Sequence, residues 1–241
     1  MMVNWLPAAL RTCLILLAMV GLSGEALARP QTKVFLNGVP APVFFNDGDS
    51  FTVLGGQHEG IRTRLAGYNT LESFGAVHRW GDWNAHELYV VAKMATMNAR
   101  RGVWHCHSDM NRDGYGRTLW TCPDLVLDQL RKGLAHVMLV SDDDAPAEHL
   151  AAMRSAQAEK RGIWAKGIPE FVLTSLHSKD EGYEGTNYNR LVSTANGKST
   201  KWIHNDIYKE CQEVCHTTGT CMVYVAMNRR FGATRAECLM H

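Results

Sequence analysis

The first part of the chain has the alternating pattern of short β-strands. Four short apolar runs lie between residues 33 and 66, separated by Gly, Asn, Asp and Pro, and such punctuation is typical of strands joined by tight turns. In the last run, residues 61–65, successive side chains point to opposite faces, so Thr63 lies on one side and Arg64 on the other. The pattern predicts a small sheet whose outer face carries an arginine.

The next hundred residues alternate between helices and strands. Apolar residues recur at helical spacing after Asp82 and stop at Gly102, which predicts a helix with Asp82 as its N-cap. Further strands are predicted at 103–107, 117–121 and 136–140, and further helices at about 123–132 and 144–161. The predicted fold class is therefore α+β, with about three helices.

The character of the sequence changes after Lys166. Residues 176–200 are rich in Ser, Gly, Asn, Lys and Thr, and we interpret 167–200 as a linker or long loop. Residues 200–212 have a helical pattern, and four cysteines lie between residue 211 and the end of the chain. We predict a small disulfide-rich C-terminal module at 201–241, because so short a segment buries little core without disulfides.

The N-terminus has the features of a secretory signal peptide. Arg11 precedes an apolar segment at 13–22, and Ala26-Leu27-Ala28 supplies the small residues of a cleavage site. An apolar segment of this length is too short to span a bilayer comfortably. We predict a signal peptide at 1–28, a first mature domain at 29–166, and a secreted or periplasmic location. An uncleaved N-terminal anchor is the alternative.

The number of cysteines is consistent with an exported protein. Cys13 lies in the predicted signal peptide, and an even number of cysteines remains, which in an exported protein indicates disulfides. Cys106 and Cys122 flank a polar loop at matching places on two predicted strands, so we expect a disulfide between them. The remaining four are Cys211, Cys215, Cys221 and Cys238. Zinc bound by three of these and His216 is the competing interpretation, although the spacing is loose for a structural zinc site.

Composition and charge narrow the possible functions. The chain is 46% hydrophobic and 20% charged, which indicates a folded protein rather than a disordered one. The formal net charge is only +1. A general basic coat for nucleic acid is therefore excluded, and any site for an anion must be built locally.

Three polar segments supply residues for such a site. They are Asn46 to Ser50, Arg64 to Glu72 and Asp109 to Leu119. Each alone is typical of a turn or a solvated loop, and the third is not an EF-hand, because Trp120 stands where that loop needs a glutamate. Together they offer two arginines, acidic cation ligands and a spare glutamate. Guanidinium groups, a divalent cation and a carboxylate are the groups suited to attack on a phosphodiester.

Five motifs in the same order make residues 43–164 resemble the staphylococcal nuclease family. They are D-G-D-S at Asp47–Ser50, R-L-x-G-x-N-T-x-E at Arg64–Glu72, D-G-Y-G-R at Asp113–Arg117, L-R-K-G-L-A-H-V at Leu130–Val137 and E-H-L-x7-A-E-K-R-G-I-W at Glu148–Trp164. The resemblance implies an OB-fold, a five-stranded β-barrel with about three helices. It also implies calcium-dependent cleavage of DNA or RNA on the 5′-oxygen side, leaving 3′-phosphate ends.

The resemblance implies roles for single residues. Arg64 and Arg117 match the arginines that hold the scissile phosphate, and Glu72 matches the glutamate credited with activating water. The implied ligands of Ca²⁺, or of another divalent cation, are Asp49, Asn69 and Thr70, with Asp47 as an outer-sphere helper.

Several positions depart from the family pattern. Asn69 stands in place of an aspartate, which removes one ligand charge and should weaken calcium binding. Leu71 stands where proline is common, and Leu139 and Ser141 stand where two nucleotide-binding tyrosines are expected. Tyr115 is retained and can stack on a base as a substrate-binding residue.

Three classes of function follow. The first, which we favour because both arginines and the glutamate occur together, is a secreted, monomeric, calcium-dependent nuclease acting on DNA, RNA or both. The second is a non-catalytic OB-fold that binds nucleic acid, as the substitution at Asn69 suggests. The third gives the main role to the C-terminal module as a cell-wall or protein-binding anchor, with the barrel as its scaffold.

Overall fold

The computed structural model describes residues 32–182 and 186–240. The predicted signal peptide, 1–28, lies outside the described residues. The fold is mixed α+β, with several small sheets and, within the described ranges, three α-helices. None of the helices in those ranges is both long enough and apolar enough to cross a membrane.

The first ten strands lie between residues 33 and 138. They are β1 (Lys33–Leu36), β2 (Val39–Ala41), β3 (Val43–Phe45), β4 (Phe51–Val53), β5 (Thr63–Leu65), β6 (Gly67–Thr70), β7 (His78–Arg79), β8 (Val103–Cys106), β9 (Thr118–Trp120) and β10 (Ala135–Met138). Nine of them form the small sheets β2-β1-β8, β3-β4, β5-β9 and β10-β6. Isolated bridges, Thr52 to Arg62 and His107 to Thr121, connect neighbouring sheets, but the hydrogen-bonded strands of the described residues do not close into a barrel.

The three helices follow the predicted order. They are α1 (Ala85–Ala99), α2 (Pro123–Arg131) and α3 (Ala147–Ala158). The expected N-cap at Asp82 is wrong, because Asn84 forms the cap. Asn84 Oδ1 accepts a hydrogen bond from Glu87 N at 2.9 Å, and Glu87 Oε2 accepts one from Asn84 N at 3.1 Å. This reciprocal capping box satisfies two backbone donors that the first turn leaves unpaired.

The main core lies between these helices and the first sheets. Its largest side chains, all at most 1% exposed, are Trp80, Trp120, Trp164, Tyr68, Phe45 and Phe51. Helix α1 adds Leu88, Val91 and Ala95 on one face. Burying each large apolar side chain contributes roughly 1.5–3 kcal/mol, so this core fixes the strands that carry the polar segments.

The predicted linker at 167–200 is wrong. The segment contains β11 (Phe171–Ser175), β12 (Tyr188–Ser193) and the start of β13 (Ser199–Ile203), which form an antiparallel sheet. Residues 200–212, predicted as a helix, contain the rest of β13 and no helix. Along β12, the half-buried Tyr188 and Arg190 alternate with the buried Asn189 and Leu191. The polar composition therefore marks one face of a strand rather than a loop.

The C-terminal segment is not a separate module. Residues Gln31–His241 form one compact unit. The last strands are β14 (Glu213–Cys215) and β15 (Cys221–Val223), and β15 pairs with β7, where Met222 lies opposite His78. Phe74 and Val77, which precede α1, pack in one cluster with residues of β11, β12 and β15. The predicted boundaries at 166 and 200 therefore do not separate domains, because the C-terminal strands pack against apolar residues from the first half of the chain.

Three disulfides link the six cysteines of the described residues. Cys106 pairs with Cys122, as predicted, with an S–S distance of 2.00 Å. The others are Cys211–Cys238 at 2.03 Å and Cys215–Cys221 at 2.06 Å. Glu213 lies beside the last pair in a position that would suit a metal. The competing zinc interpretation is wrong here, because sulfur atoms in disulfides are not the thiolates that bind zinc.

Candidate active site

The turn between β3 and β4 places two aspartates against β6. Asp47 Oδ1 accepts hydrogen bonds from Asp49 N at 3.1 Å and from Ser50 Oγ at 2.7 Å. Gly48 lies so close to β6 that a Cβ there would be 2.5 Å from Thr70 Cγ2. The glycine is therefore needed for this approach, and the turn holds both carboxylates beside the strand that carries Thr70.

Asp49 connects Arg64 of β5 to the end of β6. The residue is 3% exposed, and its Oδ1 forms an ion pair with Arg64 Nη1. Its Oδ2 accepts a hydrogen bond from Thr70 N at 2.7 Å. Arg64 Nη2 in turn donates to Asn69 Oδ1 at 2.7 Å. Four of the predicted site residues, from three separate strands and turns, thus form one hydrogen-bonded group.

Asn69 is held on its other side by β10. Asn69 Nδ2 donates to Thr70 O at 2.7 Å and lies 3.3 Å from His136 Nε2. His136 Nδ1 lies 3.0 Å from Val137 O, which makes Nδ1 the protonated nitrogen and Nε2 the acceptor. Burial lowers the pKa of His136 to about 4, so the ring is neutral at pH 7 and can accept the amide hydrogen.

Glu72 follows β6 and is anchored through its backbone. Glu72 N donates to His78 Nε2 at 3.2 Å. Burial, together with a smaller effect of the neighbouring His136, lowers the pKa of His78 to about 3. Since only a neutral imidazole nitrogen can accept this hydrogen bond, burial of His78 keeps the anchor of Glu72 intact at neutral pH.

Charges from four distant segments act on the Glu72 carboxyl. Burial raises the pKa of this group, and the positive charge of Arg230 is the strongest opposing effect. Asp49 raises the pKa further, while Arg64 and Arg117 lower it. These electrostatic effects require proximity. The charges of Asp49, Arg64 and Arg117 thus act on Glu72, together with the charge of Arg230, which the sequence did not predict.

The carboxylates form an acidic cluster. Burial raises the pKa of Asp47, and the nearby charges of Asp49 and Glu72 raise it further. Mutual repulsion of this kind is relieved by a bound cation, and carboxylate and carbonyl oxygens are the ligands that Ca²⁺ prefers. The donor set therefore fits a hard divalent cation.

Two of the predicted calcium ligands are engaged within the protein. Asn69 Oδ1 accepts from Arg64, and Thr70 O accepts from Asn69 Nδ2. A carbonyl oxygen has two lone pairs, so each can accept one hydrogen bond and still contact a cation. Asp49 lies at the centre of this group and remains the strongest candidate ligand.

Arg117 is fixed by its own loop. Arg117 Nε and Nη2 lie 2.8 and 2.7 Å from Asp113 Oδ2, while Asp113 Oδ1 accepts from the backbone N of Tyr115 and of Arg117, both at 2.9 Å. Burial opposes ionisation of Asp113, but these hydrogen bonds from Arg117 outweigh it and lower the pKa of the carboxyl. The Tyr115 ring is 58% exposed and its centroid lies 5.6 Å from Arg117 Cζ. A rigid guanidinium beside an exposed ring suits binding of a phosphate and its base.

Sequence reasoning missed three residues at this site. His78 and His136 form the buried support behind Glu72 and Asn69. Arg230 follows the C-terminal strands, where its Nε donates to Val225 O at 2.9 Å and its Cζ lies 5.0 Å from the centroid of the Phe74 ring. The histidines lie in strand-like apolar stretches that could have marked them as buried. No sequence signal connects Arg230 to Glu72.

Comparison with known proteins adds no identification. A scan against models of protein families finds no match to this chain, and a search of curated proteins finds none either. The functional assignment therefore depends on the site residues themselves.

Proposed function

We propose that the protein is a secreted, calcium-dependent nuclease that hydrolyses phosphodiester bonds of DNA, RNA or both on the 5′-oxygen side, leaving 3′-phosphates. One observation carries the proposal: Arg64, which is ion-paired with Asp49, and Arg117, from a separate loop, both act on the charge of Glu72. A cluster of two guanidinium groups and several carboxylates suits a reaction in which negative charge develops on phosphate oxygens.

The two arginines would hold the scissile phosphate. Arg64 uses Nη1 and Nη2 for contacts within the protein, and Arg117 uses Nε and Nη2. A guanidinium has five N–H donors, so both retain hydrogens for phosphate oxygens. Because Asp49 and Asp113 fix the two planes before substrate binds, little reorganisation is needed as charge develops in the transition state.

Glu72 would accept the proton of the attacking water or hold that water in line. Its backbone is fixed by His78, and the neighbouring arginines favour its ionised form against the effect of burial. Asp49, with oxygens of Asn69 and Thr70, would hold Ca²⁺. When bound, the cation would neutralise phosphate charge and lower the pKa of water.

The proposal also includes an architecture that joins the separate small sheets. We infer that the short strands between residues 33 and 138 are parts of a five-stranded OB-fold barrel, which the bridges Thr52 to Arg62 and His107 to Thr121 support by linking separate sheets. Three disulfides support export to an oxidising compartment. We further infer a monomer.

Digestion of nucleic acid tests the proposal directly. The mature protein, with its disulfides formed, is incubated with plasmid DNA and with single-stranded RNA, in calcium or in chelator. We expect polymer to be degraded only with calcium, and Glu72→Gln, which keeps the shape of the side chain, to lose activity. Products should carry 3′-phosphates, detected by end-group analysis. Intact polymer at high enzyme and calcium concentrations would refute the proposal.

A second candidate function is supported by one observation. Asn69 lies where an acidic ligand is expected, and its side chain is engaged by Arg64, Thr70 and His136. This arrangement favours a protein that binds nucleic acid without cutting it. A gel shift with intact polymer, in calcium and in chelator alike, would support this candidate over the first.

A further inference from the structure

A group of cations lies on one face of the C-terminal sheet. Arg190 of β12 is directly opposite Lys201 of β13, and Tyr188 is two residues before Arg190, so the three side chains share a face. Lys201 Nζ lies 4.8 Å and Arg190 Cζ 5.6 Å from the centroid of the Tyr188 ring. Arg190 Nη2 also donates to Tyr188 Oη at 3.2 Å. The ring thus organises two positive charges on adjacent strands.

Within the described ranges, Arg190, Lys201 and Arg230 form no ion pair with a carboxylate within 4.0 Å. By contrast, Arg229 pairs with Glu210 at 2.7 Å. A local excess of positive charge on a protein of net charge +1 is the feature expected of a locally built anion site.

Arg230 connects this face to the candidate active site. Burial is the main cause of the lowered pKa of His177; the Glu181 carboxylate, 3.5 Å from its Nδ1, opposes this, and the charges of Arg230 and Arg190 lower the pKa further. The His177 ring lies 6.0 Å from the Tyr188 ring. Arg230 is also the strongest positive influence on Glu72. Arg230 Cζ lies 5.0 Å from the centroid of the ring of Phe74, two residues after Glu72, so its charge lies near the candidate active site and also acts on His177 beside the Tyr188 ring.

We propose that Tyr188, Arg190, Lys201 and Arg230, the C-terminal cationic track, bind the backbone of a single-stranded polynucleotide beyond the bond that is cut. This inference rests on the proposed nuclease function, and it assigns the C-terminal strands to substrate binding. Several cations in a row suit successive phosphates. A tyrosine among them suits an unstacked base, which single strands offer and duplexes do not.

Binding in chelator tests the track without requiring cleavage. Fluorescence anisotropy measures the affinity of the full mature chain for a 5′-labelled 20-nucleotide single strand, as DNA and as RNA, at several salt concentrations. The double variant Arg190→Gln/Lys201→Gln should bind several-fold more weakly. It should also reduce the slope of log affinity against log salt by about 1.4, since each phosphate contact in a single strand contributes about 0.7. The effect should be smaller for a duplex.

Two further variants keep the test specific. Lys33→Gln/Lys93→Gln removes two exposed lysines outside the track, one of them also beside a tyrosine ring, and should leave the salt slope at the parental value. Arg190→Lys/Lys201→Arg keeps both charges and should also retain the slope. Equal slopes for the parent and for Arg190→Gln/Lys201→Gln, or an equal drop in the lysine control, would overturn the track.

A cleavage assay distinguishes failure of the cationic track from failure of the proposed nuclease function. With a 20-nucleotide substrate and calcium, Arg190→Gln/Lys201→Gln should raise KM several-fold with little change in kcat, and it should not affect hydrolysis of a dinucleotide-sized diester. An unchanged KM with calcium-dependent cleavage intact would overturn the track alone. Absence of cleavage by the parent, with the predicted change in salt slope, would refute the nuclease and leave the binding track standing.

Discussion

His78, which anchors the backbone of Glu72, makes the free energy of unfolding depend on pH. Its Nε2 accepts the backbone hydrogen of Glu72 at 3.2 Å, and burial lowers its pKa from 6.5 to about 3. The perturbation is His78→Gln. A glutamine oxygen can take the place of Nε2 as an acceptor, but it does not gain a proton as the pH falls.

The sign and size of the effect follow from the two pKa values. A base whose pKa is lowered by folding is neutral in the folded chain and charged in the unfolded chain at intermediate pH, so its contribution to stability is complete above pH 6.5 and is lost as the pH falls towards 3. Each pKa unit corresponds to about 1.4 kcal/mol. Between pH 8 and pH 5, His78 should therefore remove about 2 kcal/mol from the free energy of unfolding.

Guanidinium denaturation followed by circular dichroism measures this difference. The raised pKa values of Asp47 and Glu72 make the folded protein less stable as the pH rises, which opposes the effect of His78 in the parent. They are present in both proteins and cancel in the comparison. The stability difference between the parent and His78→Gln should shrink by about 2 kcal/mol from pH 8 to pH 5. His86→Gln, at an exposed position on α1, controls for loss of a histidine, and an equal difference at both pH values would refute the reasoning.

Three other outcomes are expected. Arg117→Ala should lower turnover by roughly two or more orders of magnitude with an unchanged circular dichroism spectrum; wild-type turnover would remove Arg117 from the mechanism. Asn69→Asp adds a ligand charge and should tighten calcium binding in calorimetry, whereas weaker or unchanged affinity would count against Asn69 as a ligand. Replacing Cys106 and Cys122, which are 16 residues apart, by alanine should lower the free energy of unfolding by about 3 kcal/mol in denaturant titrations, and no loss would contradict this account.

Local sequence patterns predicted the first two thirds of the fold well. The alternation around Arg64 and the helical spacing from Ala85 are short-range signals, and the structure has the corresponding strand and helix. Cys106 and Cys122 were paired correctly because their strands are neighbours in sequence. The meeting of Arg64 with Asp49 was predicted only through ordered motifs, since spacing along a chain does not specify a contact between strands.

The C-terminal third was predicted poorly because its structure depends on distant partners. β12 and β13 have polar residues on an exposed face, so their composition is typical of a loop. Arg230, whose charge acts on Glu72, follows β15, which pairs with β7. Long-range pairing of this kind has no signature in a single sequence. The domain boundaries and the position of Arg230 both depend on it.

The pairing of β7 with β15 also affects the order in which parts of the fold form. It joins Arg79 to Cys221, 142 positions later in the chain. During synthesis or export that begins at the N-terminus, β7 lacks this partner strand until Cys221–Val223 has emerged. Closing so long a loop is slow compared with forming local turns. The pairing that positions the segment after Glu72 therefore forms late, after the turns and helices that precede β15.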